Sequence, residues 1–105
     1  MKPAPFNYIV PTSIDEALAL LEEHAPDARL LAGGQSLVPM MNFRLSRPSH
    51  LIDLNCIPDL AFIHDNKDHI SIGAMTRERT IEESSLVQSS IPLLYEATRH
   101  IAHLP

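Results

Sequence analysis

The sequence predicts an α+β domain: a βαβ unit followed by a small mixed sheet that contains a hairpin. Three observations point there. Two short apolar runs, residues 6–10 and 29–32, flank a stretch with helical periodicity, and strand, helix and strand within about thirty residues is the size of a βαβ crossover. The second run stops at two adjacent glycines, Gly33 and Gly34, before the apolar pattern resumes. Further on, two alternating segments face each other across the polar turn Asp65-Asn66-Lys67-Asp68, the arrangement of an antiparallel hairpin.

Each element follows from its residues. Phe6-Asn7-Tyr8-Ile9-Val10 is a strand confined between Pro5 and Pro11, which suits an edge or entry position because proline cannot donate to a ladder. Ser13 and Glu16 stand in capping-box spacing, and Ile14, Ala17, Leu18 and Leu21 recur on one helical face with Asp15, Glu22 and Glu23 outward. Ala25-Pro26-Asp27 ends that helix. Arg29 to Ala32 is the second strand, so the glycine pair lies at its carboxyl end, where ligands of such units bind. A short helix follows over Leu37–Asn42. Its Pro39 is compatible only with the first turn, which puts the start at Ser36.

His50 to Leu54 reads as a strand. Ala61-Phe62-Ile63-His64 and His69-Ile70-Ser71-Ile72 are the hairpin arms. Thr76 and Thr80 are each placed to cap a short helical turn, with Glu82 and Glu83 near the start of the second. Ser90-Ile91-Pro92 opens a last helix with proline at its first position, and Leu93, Leu94, Ala97 and Ile101 form an apolar stripe on a helix running to about Ala102.

With 105 residues, 45% of them hydrophobic, the chain suits one modest core. A net charge of -5 without a Lys/Arg cluster argues against nucleic acid or an anionic membrane as partner, and no apolar run approaches the length that spans a bilayer. The start lacks the apolar region of a secretory signal, and the single Cys56 forms no internal disulfide, so the expectation is a cytoplasmic protein. One thiol also excludes a Cys-ligated iron-sulfur cluster within these residues.

The six histidines, His24, His50, His64, His69, His100 and His103, show no metal-ligand spacing. Glu22-Glu23 and Glu82-Glu83 are explained by helix solvation and by the positive end of a helix dipole. Arg44 and Arg47 are the close pair of cations near the glycines, and surface or carboxylate-paired roles suit them as well as ligand contact does. No catalytic residue and no metal site is assigned.

The glycine pair is where chemistry concentrates. Adjacent glycines allow positive φ and close backbone approach because no Cβ intervenes, and Ser36 is placed to cap the following turn, whose amides carry the positive end of a helix dipole. A phosphate or pyrophosphate fits such a turn. Alone, Gly-Gly is better explained as a plain strand-to-helix turn that uses the glycines for geometry only.

The surrounding words resemble a family. Phe6-Asn7-Tyr8 with Pro11-Thr12-Ser13, the run Ala32-Gly33-Gly34-Gln35-Ser36-Leu37-Val38-Pro39-Met40-Met41-Asn42-Phe43-Arg44-Leu45, then His50-Leu51-Ile52-Asp53-Leu54-Asn55, Ile72-Gly73-Ala74-Met75-Thr76 and His100-Ile101-Ala102-His103 are similar, in order, to the FAD-binding (medium) subunit of molybdenum hydroxylases of the carbon monoxide dehydrogenase and xanthine dehydrogenase type.

The resemblance implies the first part of a PCMH-type FAD-binding domain. Residues 1–105 would be an N-terminal subdomain of it, truncated before a second glycine-rich loop. It implies FAD as cofactor, with the pyrophosphate on Ala32, Gly33, Gly34, Gln35 and Ser36, chiefly through backbone N–H groups, and with Ile101 approaching the flavin. Partners would be a molybdenum-cofactor subunit and an iron-sulfur subunit, whose electrons this oxidoreductase subunit passes to an external acceptor. A flavin carries its own redox chemistry, so a chain without an evident acid or nucleophile agrees with that role. The alternatives are a phosphate or nucleotide-binding module without redox function and a structural fragment whose uncovered apolar stripe drives self-association.

Overall fold

A computed structural model describes residues 1–101 and divides the chain into two compact units, residues 1–59 and 60–105. The first unit runs β1 (Asn7–Ile9), α1 (Ile14–His24), β2 (Ala28–Leu31), α2 (Leu37–Asn42) and β3 (His50–Asp53). Its three strands are all parallel, in the order β1-β3-β2. The strand-helix-strand unit is therefore present, but β1 and β2 are not neighbours. α1 carries the chain past one strand position, and β3 fills the gap between them. The physical reason is burial. Leu51, Ile52 and Asp53 of β3 are all buried, whereas β1 and β2 keep exposed positions, so the most enclosed strand takes the centre and the proline-flanked β1 takes an edge.

The register fixes the two faces of the sheet. Tyr8 pairs with Leu51, Ile9 with Ile52, Leu30 with Ile52 and Leu31 with Asp53. Because side chains alternate along a strand, Tyr8, Leu31, Leu51 and Asp53 share one face. Ala28, His50 and Ile52 occupy the other, where His24 at the end of α1 stacks on His50 with ring centroids 3.7 Å apart. Ala17, Ala28 and Ile52 are buried. α1 begins as the residue pattern requires: Ser13 Oγ accepts from the Glu16 N–H at 3.1 Å, and Glu16 Oε2 accepts from the Thr12 N–H at 3.0 Å. Of the expected apolar face, Ala17 is buried and Ile14 and Leu18 are exposed.

The second unit contains the hairpin β4 (Ile63–Asp65) and β5 (Ile70–Ile72), then α3 (Glu78–Glu82), α4 (Ser85–Ser90) and α5 (Pro92–Thr98). The hairpin is antiparallel, with Ile63 opposite Ile72. Thr76 is not a helix cap. Its hydroxyl donates to the Phe62 carbonyl at 2.9 Å and accepts from the Phe62 N–H at 3.1 Å, so it closes the chain beside the hairpin. Thr80 lies inside α3, and the residue that caps by its side chain is Ser84, accepting from Val87 N–H at the start of α4. A threonine hydroxyl serves either a local turn or a distant backbone pair, and sequence spacing does not separate the two.

Pro92 opens α5 at its first turn as expected. The predicted stripe differs. Leu93 is 82% exposed and Ala97 is exposed, whereas the covered positions are Leu94, Tyr95 and Thr98. The helix is one turn shorter than expected, ending at Thr98, and so fewer of its positions define a face. Ala102 and His103 lie outside the described residues.

Candidate functional site: the glycine loop at the sheet edge

The carboxyl ends of the parallel strands converge on one edge of the first unit. β2 runs into Ala32-Gly33-Gly34-Gln35-Ser36 and α2 begins directly after. Gly34 has φ +81°, a left-handed backbone in which any L side chain is strained. A Cβ built there meets Val38 Cγ2 at 3.0 Å, and one at Gly33 meets Gln35 Oε1 at 2.1 Å. The Gln35 carboxamide thus folds back over Gly33. The backbone path requires glycine at Gly34, whereas at Gly33 only the flexible end of the Gln35 side chain stands in the way.

Its donors are open. Among the described residues, no backbone carbonyl accepts from the N–H groups of Gly33, Gly34, Gln35 or Ser36. The Gly34 carbonyl is committed, since it accepts from Val38 N–H at 3.0 Å and thereby starts the helical turn. Four successive amides without a backbone acceptor, two of them on glycines, are donors available to an anion. Ser36 departs from expectation: it holds the N-cap position of α2 in right-handed helical geometry, and its side chain makes no capping bond. The turn has already tightened at Gly34, so Ser36 does not take the extended backbone that a capping hydroxyl needs.

What fixes the loop comes from the end of β3. Leu54 N–H donates to the Leu31 carbonyl at 3.0 Å, and Asn55 Nδ2 donates to the Ala32 carbonyl at 2.9 Å. Asn55 is itself held by buried Asp53, whose Oδ1 accepts from the Asn55 N–H at 2.9 Å and from Asn55 Nδ2 at 2.7 Å. The second carboxylate oxygen accepts from the Tyr8 hydroxyl across the sheet. That bond, with smaller contributions from desolvation and nearby negative charge, raises the Tyr8 phenol above its usual value of 10.0. In the sequence Asp53 and Asn55 are visible only as part of a longer word. The signal that marks them is an Asp with a partner two residues on at a strand end, the spacing of an Asx-turn.

The remaining candidates stand elsewhere. Ile101 belongs to the second unit, following α5 at a bend and 48% exposed. Arg44, at φ 56°, donates to the Lys2 carbonyl of the N-terminal segment, and Arg47 donates to the Arg44 carbonyl after α2, so both guanidinium groups bond to backbone carbonyls. Among the described residues no group of histidine, cysteine or carboxylate side chains is arranged to hold a metal, and no helix is long and apolar enough to cross a membrane.

A parallel-sheet edge with a glycine loop whose amides have no backbone acceptor is an arrangement that can receive an anion, and comparison with known proteins says to which family the chain belongs. Residues 4–105 match the family described as the FAD binding domain in molybdopterin dehydrogenase, and the chain belongs to that family. It is 46% identical over 104 residues to caffeine dehydrogenase subunit beta of Pseudomonas sp. strain CBB1, covering 99% of this chain and 35% of that one. It is 49% identical over 102 residues to the carbon monoxide dehydrogenase medium chain of Hydrogenophaga pseudoflava, covering 97% and 36%. The solved carbon monoxide dehydrogenase from Hydrogenophaga pseudoflava that lacks the Mo-pyranopterin moiety superposes with a TM-score of 0.94 at 48% identity, over 98% of this chain and 36% of that chain. The chain thus spans little more than a third of the length of these relatives.

Proposed function

We propose that these residues form the N-terminal subdomain of an FAD-binding subunit in a molybdenum-containing hydroxylase, and that the loop Ala32-Gly33-Gly34-Gln35-Ser36 binds the FAD pyrophosphate. The observation that carries this reading is the run of four unengaged amides at Gly33 to Ser36, held open by a positive-φ glycine. Bound FAD would supply the redox chemistry. The chain's own part is to present N–H donors to the phosphate oxygens, to keep the approach free of side chains, and to hold the loop against the sheet. By the same family resemblance, Ile101 is proposed to approach the flavin.

In the assembled cytoplasmic enzyme this subunit would receive electrons from iron-sulfur clusters on one partner, supplied in turn by a molybdenum-cofactor partner, and pass them to an external acceptor. The relatives are a subunit and a medium chain of dehydrogenases, which supports a role within a multi-subunit oxidoreductase. The test is FAD titration of the chain extended to the length of its relatives, comparing wild type with Gly34→Val. The variant should lose FAD binding and keep most of its fold, because valine is strained at φ +81° and fills the approach. Equal affinity in both proteins removes the loop from the site.

A further inference from the structure

Glycine-rich turns lose much chain entropy when ordered, and this one lacks the usual local restraint. The Ser36 hydroxyl makes no capping bond, and α2 is only six residues long. The order must be supplied from outside the loop. Two carbonyls at the end of β2 are pinned: Leu31 by Leu54 N–H, and Ala32 by Asn55 Nδ2.

Pinning a carbonyl also aims an amide. The Ala32 carbonyl and the Gly33 N–H belong to one planar trans peptide and point in opposite directions. With the Ala32 oxygen drawn toward Asn55, the Gly33 N–H is turned away from β3. Asn55 can act in this way because it is held itself: both of its donors, backbone and side chain, reach Asp53 Oδ1, at 2.9 and 2.7 Å. Asp53 is buried, and its other oxygen is occupied by the Tyr8 hydroxyl from the opposite edge strand. Bonds to a carboxylate are about twice as strong as neutral ones, so the relay Tyr8, Asp53, Asn55, Ala32 is stiffest where it meets the central strand.

We propose that Asn55 is a positioning residue for the FAD pyrophosphate, setting the direction of the first loop donor without touching the ligand, and that Asp53 is the anchor on which it bears. This rests on the reading that residues 32–36 hold the pyrophosphate, so the test must separate the two.

The experiment uses the chain at the length of its relatives and compares wild type, Asn55→Leu, Asn55→Gln and Gly34→Val. It measures FAD affinity, Tm and, without ligand, the amide order parameters of Gly33 and Gly34. Asn55→Leu should weaken FAD about tenfold, the loss of one hydrogen bond's worth of pre-organisation, and should lower the order parameters at Gly33 and Gly34 while those of the three strands hold. Asn55→Gln, which keeps an amide donor on a longer arm, should recover part of the affinity. Unchanged affinity in Asn55→Leu alongside loss in Gly34→Val overturns the positioning role and leaves the loop as the site. Wild-type affinity in Gly34→Val overturns the loop reading itself. Loss of affinity in Asn55→Leu with disorder spread over all three strands also overturns the positioning role, because Asn55 would then act through stability alone.

Discussion

At the residue scale the proposed pyrophosphate loop would work through its backbone, with its side chains secondary. Gln35 bears on this directly: its carboxamide folds over Gly33 and lies against the loop without extending from it. Gln35→Ala should change FAD affinity by less than about tenfold, or 1.4 kcal/mol. A larger loss in titration would assign the side chain a direct contact. Tyr8 carries a different prediction. Its phenol is raised by the bond to Asp53, so the protonated form is the one the fold favours. The stability this bond gives is complete below the ordinary phenol value and is lost as pH rises through the raised one. Thermal melts of the wild type should therefore fall off above about pH 10, and Tyr8→Phe should lack that component of the alkaline decline. Identical alkaline profiles would show that the bond contributes nothing to stability.

At the element scale the second unit depends on a close backbone crossing. A Cβ at Gly73 would stand 2.2 Å from the Leu60 carbonyl oxygen, and that oxygen also accepts from Met75 N–H at 2.8 Å, while Gly73 N–H donates to Phe62 at 2.9 Å. Neither segment can yield without breaking a bond. Gly73→Ala should destabilise the fold by about 1–3 kcal/mol, the range of overpacking in a site that cannot relax, which chemical denaturation would measure. An unchanged midpoint would mean the crossing gives way freely. The elements themselves were largely legible. The capping box of α1, Pro39 in the first turn of α2, the hairpin and Pro92 at the start of α5 all stand where local chemistry places them. The failures are instructive: Thr76 was expected to cap and instead bonds the Phe62 backbone, and Leu93 was expected inside and stands in solvent. Both depend on what another segment offers, which no local pattern contains.

At the scale of the whole molecule, the proposed pyrophosphate loop is a single set of donors among the described residues. A pyrophosphate carries two charged groups, and a single loop of four amides surrounds them incompletely. The isolated 105 residues should therefore purify without flavin, with affinity lower than that of the extended chain by about a thousandfold, equivalent to roughly 4 kcal/mol. The exposed apolar residues on α5, Leu93 and Ala97, with Ile101 after it, favour association between copies. Light scattering should show an associating species that Leu93→Glu shifts toward monomer, and extension to the relatives' length should restore FAD binding. Stoichiometric flavin on monomeric residues 1–105 would show that one loop suffices.

The sequence by itself determined the strand-helix-strand opening and the glycine loop at the end of the second strand, because these rest on local backbone chemistry: glycine's freedom at positive φ, proline's missing donor, a serine three residues before a glutamate. The family it determined through the resemblance of longer words in order. Only the tertiary structure decided that β3 enters between β1 and β2, and that Tyr8, Asp53 and Asn55 join to hold the loop. Those groups lie 45 residues apart along the chain between Tyr8 and Asp53 and 23 apart between Asn55 and Ala32. A hydrogen bond at that separation leaves no periodic trace in composition or spacing, since it exists only once parallel strands bring the carboxyl ends of distant segments to one edge.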